Sequence, residues 1–101
     1  WVTFNGTNGT IRASYNVSSV TRSSTGIYTV NFTTAMTNAK YAAVISNSSA
    51  SGSSQTNSQV FSSSGANVVA PTTSAFSFSV SVAYTGGFWD PNYACAVVYS
   101  S

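Results

Sequence analysis

Residues 76–84, FSFSVSVAY, alternate without a break. Phe76, Phe78, Val80, Val82 and Tyr84 share one parity; Ser77, Ser79, Ser81 and Ala83 share the other. Side chains alternate between two sides only in an extended chain, so this run is a strand with one face on a core and one toward water. Wound as a helix, the same five apolar residues would spread around the whole cylinder and leave no face to bury.

A second run, residues 27–33, repeats the pattern with Tyr28, Val30 and Phe32 inward. The short loop at residues 22–26 precedes it, and Gly26 there supplies a position that tolerates positive φ. With residues 16–21 on the other side, the segment reads as a hairpin. Val17 and Val20 have opposite parity, which predicts a bulge near Ser18 and Ser19. Further strands are expected at residues 2–4, 10–15, 41–46, 59–62, 67–69 and 93–99, with turn signals at Asn5-Gly6 and Asn8-Gly9. Residues 36–40 are expected to form a short helical or irregular crossing. Residues 46–58, SNSSASGSSQTNS, read as a long surface loop or as a loop carrying a weak edge strand. Seven to nine short strands and no helix longer than a turn predict an all-β antiparallel β-sandwich, a jelly-roll or Ig-like knob.

The final run differs from the others. Over residues 93–99 both parities are apolar. One chain of 101 residues has little material to cover a second face. The expectation is a partner chain there, hence a homo-oligomer, with Cys95, Val97, Val98 and Tyr99 as interface residues. Cys95 is the sole cysteine, so no intrachain disulfide forms; its apolar neighbours make it a small buried hydrophobe.

Charge narrows the function. Only 4% of residues are charged: Arg12, Arg22 and Lys40 against Asp90, for a net +2. Three scattered cations are not the basic stripe of a nucleic-acid binder, and no apolar run is long enough for a membrane-spanning helix. Neither a nucleic-acid partner nor membrane insertion is expected. The surface is instead hydroxyl-rich, with 34 Ser and Thr residues, and its contacts should depend weakly on salt, which suits work outside a cell. There is no His, no Glu and one Asp. General acid–base catalysis, a glycosidase carboxylate pair and a zinc site all need more than this, so neither enzyme activity nor a metal or other cofactor is expected. Five Asn-x-Ser/Thr sequons occur, against about three expected by chance at this composition.

The single acid lies in GGFWDPNY, residues 86–93. Phe88, Trp89, Asp90, Asn92 and Tyr93 combine aromatic faces with a carboxylate and an amide, the side chains that recognise sugars and that concentrate at protein contacts. The competing reading is a folded corner in which Trp89 plugs the end of the core and Asp90 caps a turn before Pro91. A second candidate surface is the polar stretch, represented by Ser53, Gln55 and Asn57, whose hydroxyls and amides suit adaptable contacts.

The stretch IRASYNVSSVTRSSTGIYTVNFTTAMTNAKYAAV, residues 11–44, resembles the C-terminal domain of tailed-bacteriophage tail fibres common in marine phages. The matching pattern is I-R-x-S-x-N-V-S-S-V-T, a T-G turn, Y-T-V-N-F-x-x-A-M and then A-x-Y, running from Ile11 to Tyr41; the leading Trp1, Val2, Phe4, Asn5 and Gly6 also fit. The resemblance covers 44% of the chain and is less diagnostic beyond it. It implies a single tip domain at the C-terminal end of a longer chain, displayed on a virion outside the cell. It also implies a homotrimer that binds a host cell-surface receptor, a glycan or an outer-membrane protein. For a phage protein made in bacteria, the sequons would stay unmodified. The pattern residues are strand and turn formers, so no binding residue carries over. Two rivals remain: a structural virion protein, as a capsid decoration or a trimerising cap, and a bacterial surface adhesin module.

Overall fold

A computed structural model describes residues 1–49, 55–64, 67–82 and 87–100. It is all-β, with two four-stranded antiparallel sheets packed face to face. Sheet A has the order β2-β1-β10-β5, from β1 (Val2–Phe4), β2 (Ile11–Ser14), β5 (Ala42–Asn47) and β10 (Ala94–Tyr99). Sheet B has the order β3-β4-β9-β6, from β3 (Val17–Ser24), β4 (Ile27–Phe32), β6 (Thr56–Val60) and β9 (Ala75–Val82). A small hairpin, β7 (Ser62–Ser64) with β8 (Asn67–Val68), completes the set.

The core follows from the alternation. Tyr28 pairs with Phe78, and Val30 with Phe76, across β4 and β9. All four side chains are buried, and Phe4 of β1 meets them from the opposite sheet. Phe4, Tyr28 and Phe78 pack together, Phe32, Tyr41, Phe61 and Phe76 pack together, and the Phe76–Phe78 contact joins them into one run of rings, most pairs meeting edge to face. Edge-on aromatic contacts add attraction beyond burial alone. The Tyr41 hydroxyl donates its one proton between the carbonyls of Thr72 (2.8 Å) and Ala75 (3.1 Å), tying the start of β5 to the turn before β9. Tyr41→Phe is expected to cost about 1 kcal/mol in denaturant unfolding with an unchanged m-value. A loss below a few tenths would mean that water replaces the bond.

Turn chemistry explains several of the sequons. Thr7 donates from its N–H and its hydroxyl to Asn5 Oδ1, at 2.9 and 2.7 Å, and Thr10 N–H donates to Asn8 Oδ1 at 2.9 Å. These are Asx turns, in which an asparagine oxygen takes the place of a backbone acceptor. Asn16 turns the chain from sheet A to sheet B with φ 58°, a left-handed conformation asparagine tolerates, and its amide bonds the backbone of Thr34 in both directions.

The fold differs from the sequence expectation in two places, the β3–β4 loop and residues 59–62. The β3–β4 loop is only Thr25 and Gly26: Arg22 is in the strand, and a second irregularity between Arg22 and Ser24 absorbs the extra residue. The expected bulge is present, between Val17 and Ser19. The strand expected at residues 59–62 is two strands, because Phe61 takes φ 56° and turns the chain from β6 into β7. Residues 35–40 are irregular, and the polar stretch does carry an edge strand, β6. Its Thr56 and Ser58 hydroxyls bond the Asn47 side chain, joining the exposed edges of the two sheets.

Candidate functional site

The corner at residues 88–93 carries the chain from sheet B to sheet A. Beyond the start of β4 at Ile27, its place beside β9 is taken by Phe88 and Trp89: Phe88 bridges Ser81, and Trp89 N–H donates to Val80 O at 3.0 Å. The N–H of Val80 donates to Gly26 O at 2.8 Å. The ladder thus continues through a segment distant in sequence.

Asp90 then locks the corner. Its Oδ2 accepts from Arg22 Nε at 3.0 Å and from a terminal guanidinium nitrogen at 2.7 Å. Its Oδ1 accepts from Gly26 N–H at 2.7 Å and from the Tyr28 hydroxyl at 2.8 Å. The Tyr28 proton is shared with the Gly6 carbonyl at 2.7 Å. Burial on its own would push the Asp90 carboxyl up, but Arg22, the Gly26 N–H and the Tyr28 hydroxyl together outweigh it and hold it below the usual carboxylate range. The Tyr28 hydroxyl is pushed well above its ordinary value, first by burial and then by the neighbouring carboxylate. Pro91 is fully buried behind Asp90. Gly6 is required here: a Cβ would stand 2.2 Å from Pro91 O and 2.8 Å from the Tyr28 hydroxyl.

The expected contact residues therefore divide. Asp90 is committed to Arg22, Gly26 and Tyr28, and with Pro91 it anchors the corner. Trp89 is half-buried. Phe88, Asn92 and Tyr93 face solvent, with Tyr93 63% exposed. Gln55 and Asn57 are exposed, Asn57 in β6 opposite Ser81, on the side of β9 away from Phe88. Ser53 lies outside the described residues.

Tyr93 belongs to a different surface, the outer face of sheet A. There the Arg12 guanidinium lies over the Tyr93 ring, 4.3 Å from its centroid, and donates to Asn92 O at 2.8 Å. Thr3, Cys95 and Ser46 stand in one row across β1, β10 and β5. A groove of about 280 Å³ runs over this row, lined also by Arg12, Tyr93 and Ser48. Arg12, Thr3, Ser46 and Ser48 were not foreseen as site residues. Arg12 left one trace, since one acid cannot pair with three cations.

Farther along the same face, Val97 lies opposite Val44 and Tyr99 opposite Ala42. Val44 is 57% and Tyr99 63% exposed, while Cys95 and Val97 are half-buried. Of the expected interface residues, Val98 has the inward parity and packs against the core with Ala94 and Ala96. Val44 and Ala42 extend the outward set; residues 42–45 are apolar at every position, so no alternation marked which of them face out.

The chain matches no family model, no curated protein and no solved structure.

Proposed function

We propose that this chain is a non-enzymatic attachment module. More particularly, we read it as the tip domain of a bacteriophage tail fibre, which binds a glycan or outer-membrane protein on the host surface. The observation that carries the reading is the corner itself. Phe88, beside sheet B, and Tyr93, on the outer face of sheet A, are exposed aromatics at the two ends of a segment that Asp90 and Pro91 pin. A preorganised aromatic surface loses little conformational entropy on binding, and aromatics dominate contact energies. The commitment of the only acidic side chain to the corner supports adhesion over hydrolysis. The resemblance over residues 11–44 supplies the phage setting.

A fibre tip works through several weak sites acting together, and copies held on one shaft raise avidity without new contacts. The apolar outer face of Ala42, Val44, Val97 and Tyr99 fits self-association as a homotrimer. That same face favours the second reading, a structural virion protein whose sandwich serves assembly.

Light scattering on a sizing column is expected to give three times the 10.4 kDa chain mass. Saturable adsorption to host cells should fall at least about tenfold in Phe88→Ala with that mass unchanged. Loss of the oligomer with adsorption retained would favour assembly-independent binding, and a variant that adsorbs like the parent would remove Phe88 from the contact surface.

A further inference from the structure

We infer that the groove over Thr3, Cys95 and Ser46 binds an acidic sugar unit, one carrying a carboxylate or a phosphate. This rests on the attachment reading and names its ligand class.

The groove arises from side-chain size. Along the outward parity of β10 and the residues before it, Tyr93 is large, Cys95 small and Val97 larger again. Across the sheet, Cys95 is flanked by Thr3 and Ser46, while Val97 is flanked by Val44. A row of small side chains between larger ones is a trough. Tyr93 and Val97 are four residues apart, or about 13 Å in an extended chain. At about 280 Å³, the space is just below the usual range of small-molecule sites, about 300–1,000 Å³. It has room for a single ring with substituents and no room for a folded partner.

Its chemistry is that of a sugar site. Thr3 brings a hydroxyl; the Ser46 hydroxyl lies 2.7 Å from Cys95 Sγ and the Ser48 hydroxyl accepts from the Tyr93 N–H at 3.3 Å, each keeping capacity for a further bond, and Tyr93 brings an exposed ring with Arg12 over one face. The charge comes from Arg12. The chain's one acidic side chain, Asp90, belongs to Arg22, so the Arg12 charge has no carboxylate side chain of its own in this sequence. The guanidinium is already held by the Tyr93 ring and by Asn92 O. A planar fork fixed before binding meets a carboxylate or phosphate with little further loss of freedom. The net charge of +2 points the same way.

The test is an NMR titration of the whole chain with four probes: an oligogalacturonate, a phosphomannose oligosaccharide, their uncharged counterparts, and a poly-glutamate peptide. Either acidic sugar should shift the amides of Thr3, Ser46 and Cys95, and whichever binds identifies the anionic group. The uncharged sugars should bind at least about tenfold more weakly. Arg12→Gln should abolish that difference, and Arg12→Lys should retain part of it, because the charge remains but the fork does not. Binding should weaken as salt rises from about 0.02 to about 0.5 M. A saturating acidic sugar should also slow alkylation of Cys95.

The inference fails if charged and uncharged sugars bind alike, if Arg12→Gln binds as the parent does, if the shifts centre on Phe88, or if no sugar binds. Equal binding of poly-glutamate would also overturn it, in favour of an acidic peptide. If sugars fail while the chain still adsorbs to cells, attachment stands and this site falls. If acidic sugars occupy the groove while no cells are adsorbed, the site stands and attachment falls.

Discussion

Asp90→Ala is expected to unfold about 15 °C below the parent chain. The variant removes the acceptor of the Gly26 N–H, a part-buried donor that then faces no partner at the tightest point of the β3–β4 turn. It also leaves Arg22 without its carboxylate, although that pair is partly exposed and screened. Tyr28 loses less, because the Gly6 carbonyl still takes its proton. Taken together, losing these charge-assisted bonds costs about 3 kcal/mol, a large share of the roughly 5–15 kcal/mol that holds a domain of this size. Asp90→Asn keeps an oxygen for Gly26 and Tyr28 but turns an amide toward Arg22, and should fall between the two. A drop of under about 3 °C for the alanine variant would show that the carboxylate does not hold the corner.

The same group sets the acid limb of stability. Its folded pKa lies below the ordinary 3.8. Between the two values the unfolded chain binds the proton more readily, so stability rises with pH there. The contribution is complete above the unfolded value and is lost as pH falls through the folded one. The sequence has no histidine and no other acidic side chain. Stability should therefore be nearly flat from about pH 5 to 8 and decline below about pH 4, and Asp90→Asn should flatten most of that decline. A parent chain that loses stability near pH 6 would contradict this account.

How far the sequence could be read depended on the range of each interaction. Alternation is local, so β4 and β9 were legible with their inward sets, and even the bulge near Ser18 showed as a slip of parity between Val17 and Val20. A break made by one residue was not legible. Phe61 carries a bulky ring in a conformation that favours glycine and asparagine, and nothing in residues 59–62 signals it. Residues 93–99 are apolar on both parities, and which parity faces in depends on register with β1 and β5, so the sequence groups the inward Val98 with Cys95, Val97 and Tyr99 as interface residues. The candidate site was only partly legible, for the same reason on a larger scale. A lone acid in a loop was visible, yet its partner Arg22 lies 68 residues away, and no periodicity links them. The groove takes Thr3, Cys95 and Ser46 from three strands, and only their pairing sets them in a row.

Gly26→Ala should be nearly as damaging as the loss of Asp90, and it tests the corner from the other side. Gly26 has φ 71°, a left-handed conformation that costs an L-residue roughly 1–2 kcal/mol. The added Cβ would stand 2.4 Å from Val80 O and 2.9 Å from both N and O of Trp89. All three are backbone atoms, so no rotamer change relieves the contact. Either the turn retreats, breaking the Gly26–Asp90 and Val80–Gly26 bonds, or the Trp89 segment leaves β9. Crowding of this kind adds roughly 1–3 kcal/mol. Hydrogen exchange should show which gives way. If the Trp89 segment moves, the amides of Val82 and Trp89 lose protection while those of β1 and β2 keep theirs, and adsorption through Phe88 falls with them. If all amides lose protection together, the corner is part of the global folding unit. Parent-like protection throughout would mean that the turn can accept a Cβ, and that Gly26 is not what holds the chain so close to Trp89.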